Sequence, residues 1–297
     1  EDVELYTKGC KAMSNFTQNN HTAQLILTCK EPLGLRIISE GLKCHRPENG
    51  GDIVDVDADE MMLQRLKMRS CATKVVKNLS THPSLEVKGK IALGGGAAQL
   101  IDRLLENLKE TGKDLIQNNY NVAVMATTND DDDEDDDDDD EVRISITIME
   151  DTLQTIENLA TIDTIVTKDD DPRYRNNHHS PTSYNNNNNN SSAADDIQKQ
   201  LTKAVKPVLN VIRQHPNRRT IQFYGLKTIQ RLTISHANSI ANYHGGISTL
   251  LNALSLSSSE SAAAGTTTST ASSSTDTDIE LITDDMIYER VLGCLCG

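Results

Sequence analysis

Six cysteines, Cys10, Cys29, Cys44, Cys71, Cys294 and Cys296, are the first residues able to ligate a metal or act as nucleophiles. None has the C-x-x-C spacing of a tetrahedral zinc site, and Cys294 and Cys296, two apart, fall on different sides of a helix. They read as reduced, buried thiols of an intracellular protein. His178 and His179 stand beside Asp169, Asp170 and Asp171, but adjacent histidines in a polar tract lack the preorganised geometry of a metal centre. Gly94, Gly95 and Gly96 invite comparison with a phosphate loop. Such a loop follows a strand and continues into Lys-Ser/Thr, whereas here a helical pattern precedes and Ala97, Ala98 and Gln99 follow, so the glycines read as a turn. No Ser/His/Asp or Cys/His set can be placed, and no pair of carboxylates stands out inside an apolar segment. The expectation is a protein that is not an enzyme and uses neither cofactor nor metal.

The chain of 297 residues has no Trp and two Phe, so a packed core must come from Leu, Ile, Val, Ala and Met. Its net charge is −15, of which twelve units lie in the run 130–141. The acidity belongs to one insert and gives no reason to expect nucleic acid as a partner. No apolar run approaches the roughly 20 residues of a membrane span. The sequence opens on Glu1, and a helical pattern runs to Gly297, as in a segment of a longer protein.

The elements that must carry these residues are helices. In 217–254, Ile221, Tyr224, Gly225, Thr228, Ile229 and Leu232 follow the i, i+3, i+4, i+7 period of an amphipathic helix. The pattern pauses at Ser235, His236 and Ala237, restarts at Ile240, breaks at Gly245 and Gly246, and resumes with Ile247, Leu250, Leu251 and Leu254. The order is long helix, short helix, turn, medium helix, with glycine free to take the left-handed turn conformation.

The same order recurs in 3–42, with Pro32 and Gly34 at the turn, and in 61–108, with the glycines 94–96 there; 144–162 supplies a fourth long helix. Aligned on the ends of the long helices, Asn15-Phe16, Asn78-Leu79, Asn158-Leu159 and Arg231-Leu232 coincide, at separations of 63, 80 and 73 residues. All-helical repeats run about 40 to 47 residues. The excess is visible as Asp-, Asn- and Ser/Thr-rich tracts, too polar to offset chain entropy and therefore expected to be disordered. His82-Pro83 and His215-Pro216 mark turns, because proline cannot continue a helix.

GLKTIQRLTI, IANYHGGISTLLNAL and GCKAMSNFT resemble the armadillo repeat, the three-helix unit of β-catenin and importin-α. The resemblance implies an all-α, right-handed helical solenoid. It divides the chain into armadillo-like repeats at 1–44, 60–126 and 195–256, an armadillo-like helix at 142–166 and the start of a further repeat at 279–297. Inserts then occupy 45–59, 127–141, 167–194 and 257–278. In that family the third helix of each repeat lines a concave groove, and in importin-α it carries a Trp and, four residues later, an Asn that clamp a basic peptide. Asn15, Asn78 and Asn158 match the Asn. The Trp positions hold Lys11, Lys74 and Gln154, and the fourth repeat has Lys227 and Arg231. Lysine there repels a basic ligand.

The expectation is a non-catalytic interaction scaffold, cytoplasmic or nuclear, whose groove receives an acidic or polar extended segment of a protein partner, with no nucleic acid and no membrane. Two alternatives stand beside it: solvated lysines and helix-ending asparagines with no binding role, or capture of basic proteins by the Asp run. A third is a regulatory part of an enzyme whose catalytic domain lies elsewhere.

Overall fold

The computed structural model describes residues 3–30, 32–43, 56–93, 100–125, 137–161, 187–242, 245–261 and 284–296, and these contain helices and no strand. The helices are α1 (Val3–Thr17), α2 (His21–Leu25, continued by a π turn, Ile26–Lys30), α3 (Pro32–Gly41), α4 (Val56–Ser80), α5 (Leu85–Leu93), α6 (Leu100–Met125), α7 (Asp137–Ala160), α8 (Asn187–Gln214), α9 (Arg219–Asn242), α10 (Gly246–Ser261) and α11 (Asp284–Cys296). By compactness the chain divides into a first unit, Glu1–Ala204, and a second, Val205–Gly297, with the division inside α8. No helix among the described residues is long and apolar enough to cross a membrane.

In the first unit α4 lies between α1 and α7, while α3 packs on α4 and α6 on α7. Bonds between helix ends show that α1, α4 and α7 run parallel: the last turn of α4 meets the last turn of α1, and that of α7 meets that of α4. One face of each long helix drives the packing. Met68, Ala72, Val75 and Leu79 on α4 are at most 6% exposed, and Ile148, Thr152, Thr155 and Leu159 on α7 are fully buried. Burying a side chain the size of Leu79 stabilises by about 2 kcal/mol.

In the second unit α11 packs against both α9 and α10. Ile221, Gly225, Thr228 and Leu232 form the same buried face on α9. The break expected at 235–237 is a kink at His236, whose φ of −132° and ψ of 25° are not helical. Gly245 has φ of +91°, the left-handed region that a residue with a Cβ rarely enters, and a Cβ on Gly246 would collide with the carbonyl of Ile240. Both glycines are therefore needed for the turn into α10.

Helices α4, α7 and α8 begin inside the tracts 45–59, 127–141 and 167–194, and α10 runs five residues into 257–278. Near the start of α7, Asp140 holds Arg143 three residues on at 2.7 Å. The rest of these tracts, with the glycines 94–96, His178, His179 and Cys44, lies outside the described residues.

Candidate interaction surface on the long helices

The parallel row of α1, α4 and α7 brings together six of the eight site residues expected from sequence. Lys11 and Asn15 on α1 and Lys74 on α4 are exposed, while Asn78 on α4 and Gln154 and Asn158 on α7 are half-buried. Lys227 and Arg231, both half-buried, belong to the second unit.

The charges of Lys11 and Lys74 both act on one thiol. Cys71 is raised above the ordinary cysteine value by burial, and the ammonium groups of Lys11 and Lys74 partly offset that. Lys74 also acts on Asp151 of α7, so its charge reaches across the row. Asp151 has a side chain only 6% exposed and pairs with Lys77 of α4. Burial raises its pKa, and Lys77 and Lys74 pull it back only in part. The Asp151 carboxylate is thus engaged within the row by Lys77.

The asparagines serve the row itself. Asn78 donates its amide to the Ser14 carbonyl at 3.0 Å and lies 3.4 Å from Thr17 Oγ1. Asn158 donates to Ser80 Oγ at 3.0 Å. Each ties its helix to the last turn of the preceding one, Asn78 through a carbonyl that Gln18 N and the Thr17 hydroxyl also meet and Asn158 through a side-chain hydroxyl.

Other side chains close helix ends in the same way. Gln24 donates to Thr17 O at 2.8 Å, and Gln222 donates to Ile212 O at 2.6 Å and His215 O at 3.0 Å. Lys88 on α5 is only 4% exposed and donates to Asn158 O at 2.7 Å and Thr161 Oγ1 at 3.0 Å. Burial pushes its pKa down to about 8, and the ammonium at neutral pH rests on the negative end of α7. His82 accepts from Ser84 N at 3.0 Å and meets His21 edge-on, ring centroids 5.3 Å apart. Burial lowers its pKa, and the charges of His21 and Lys88 lower it further.

Sequence reasoning missed Lys77, Asp151, Lys88, Gln24 and Gln222. Only Asp151 left a signal, a carboxylate within the apolar run IMEDTL. Nothing in VKGKIAL distinguishes Lys88, which is buried, from Lys90, which is not.

The thiols of Cys10 and Cys294 are buried, each pushed up to about 12 by desolvation, and with Cys71 they are free. Such groups stay protonated and unreactive at neutral pH. A recess of the second unit lined by Ile212, Arg213, Pro216, Gln222, Thr249 and Ala253 has no carboxylate, thiol or imidazole among them. Compared with protein-family models, curated proteins and solved structures, the chain matches none of them.

Proposed function

We propose that this protein is a non-catalytic interaction scaffold of armadillo-like design, and that the open side of the α1–α4–α7 row binds an extended acidic or polar segment of a protein partner. The observation that carries this reading is the pair of exposed lysines, Lys11 and Lys74, on adjacent parallel helices, both in electrostatic reach of Cys71. Lys67, also exposed, stands seven residues before Lys74 on the same side of α4. Flexible ammonium groups on a rigid helical row suit carboxylates carried on an extended chain, and the oxygens of Asn78 and Asn158 supply acceptors for its backbone. In the second unit Lys227 and Arg231 repeat the same chemistry at the equivalent register.

The test is affinity purification with quantitative mass spectrometry, using the intact chain and a chain lacking residues 127–141. A small set of partners that persists without the acidic run supports the helical row as the binding element. Capture of basic proteins alone, abolished by the deletion, overturns it in favour of the Asp run.

A further inference from the structure

The turn from α4 into α5 hangs on one imidazole. His82 is 8% exposed, and its Nδ1 accepts from Ser84 N at 3.0 Å. Pro83 between them has no N–H. Ser84 stands at the head of α5, its carbonyl accepting from Lys88 N and its hydroxyl from Glu86 N, so the ring meets the first backbone donor of the helix. The ring also hydrogen-bonds the backbone of His21 in α2, an interaction that favours its proton and is therefore made to a carbonyl. Only the neutral imidazole with its proton on Nε2 serves both sides at once. The His21 ring meets it edge-on, centroids 5.3 Å apart, and is itself held by Gln24 Oε1 at 3.2 Å. His21 from α2 and Lys88 from α5 both oppose a positive charge on His82, while Lys77, in the last turn of α4, is engaged by Asp151. No carboxylate of the described residues is among the groups whose charge acts on the ring.

We propose that His82 is a proton-operated latch: neutral, it ties the start of α5 to the start of α2, and protonated, it releases both. A proton on Nδ1 sets donor against donor at Ser84 N, and it adds a cation beside His21 and Lys88 with no anion to offset it. The release is local. Val87, Ile91 and Ala92 of α5 are at most 1% exposed, so the apolar side of the helix keeps its place. The Lys88 ammonium likewise keeps its bond to the Asn158 carbonyl at the end of α7. What opens is the first turn of α5 and the facing turn of α2. The latch lies at the joint between these two helices and does not depend on what the lysine row binds.

The experiment is hydrogen–deuterium exchange of the full chain, read by mass spectrometry from about pH 7.5 to about pH 5.5, with each rate corrected for the intrinsic pH dependence of amide exchange. The expected result is a loss of protection of about tenfold in peptides spanning 82–86 and 21–25, the value of one lost hydrogen bond, while the buried face of α9 stays unchanged. His82→Asn keeps an acceptor oxygen at the place of Nδ1 and takes up no proton, so its protection over 82–86 is the same at both ends of the range. His82→Ala lacks the acceptor and exchanges fast at both. Protection over 82–86 that is indifferent to pH in the unsubstituted chain, a loss shared equally by α9, a loss that persists in His82→Asn, or full protection in His82→Ala overturns the proposal.

Discussion

Helices α4 and α9 present the same buried face in the same register and yet are fastened to their neighbours by different polar groups. On α4, Asn78 reaches the last turn of α1, and Lys77 reaches Asp151 of α7. On α9 the residue equivalent to Asn78 is Arg231; Gln222, near the start of the helix, closes the end of α8, while Gln230 accepts from Arg290 of α11 at 3.1 Å. Arg290 also lies 5.7 Å over the ring of Phe223, and Cys294 donates to Leu226 O at 3.5 Å. Apolar packing needs only volume at four positions, so it tolerates repetition. A polar tie needs two groups matched in reach and direction, and each layer solves that separately.

The sharpest way to break this comparison is at the ion pair. Lys77→Met leaves Asp151 buried with its charge unpaired and is expected to destabilise the first unit by about 3 kcal/mol, measured by urea unfolding. Adding Asp151→Leu to the same chain should restore most of the loss. If Lys77→Met alone costs nothing, the row is held by its apolar face and the pair is incidental.

Lys88 gives an effect of similar size that appears with pH. Its folded pKa, about 8, is below the ordinary lysine value of 10.5, so the folded state disfavours the ammonium. The penalty is full below pH 8 and relaxes as the pH rises toward 10.5, contributing up to about 3 kcal/mol of added stability over that window. Thermal unfolding from pH 8 to 10.5 should show a positive slope that Lys88→Met removes. His82, lowered by burial, acts at the other end: the unfolded chain takes up its proton first, so stability falls as the pH drops below about 6.5.

Smaller effects distinguish the ties from the open positions. Gln222→Ala removes the donor to two buried carbonyls and should cost about 2 kcal/mol in the second unit. Asn78→Ala should cost about 1 kcal/mol, whereas Asn15→Ala, at the equivalent but exposed position, should change stability by less than about 0.5 kcal/mol. Equal losses at Asn78 and Asn15 would contradict the assignment of the asparagine amides to the helix row.

The helices were legible in the sequence because a 3.6-residue apolar period is a local signal. The kink at His236 and the turn at Gly245 were legible for the same reason: both interrupt a period, and one uses a residue suited to positive φ. The helix starts inside the Asp- and Asn-rich tracts were not, because composition argues against a packed core and says little about a helix whose first turns remain polar. Lys11 and Lys74 were placed side by side by register alone. The donor roles of Asn78 and Asn158 were hidden, since an asparagine near a helix end reads alike whether it meets a partner chain or the preceding helix. Lys88 and Gln222 depend on contacts 70 and 7 to 10 residues away, and no local pattern marks the lysine or glutamine that turns inward.

The central claim is that the exposed lysines of α1 and α4 form a binding surface. The most direct measurement compares the partners captured by a chain lacking residues 127–141 with those captured by the same chain carrying Lys11→Glu and Lys74→Glu. Both positions are exposed, so the fold should be retained, with a loss of about 1 kcal/mol at most from the carboxylate that Lys74→Glu sets near Asp151. Loss of the retained partners with the fold intact is the predicted result; an identical partner set at identical abundance would contradict it.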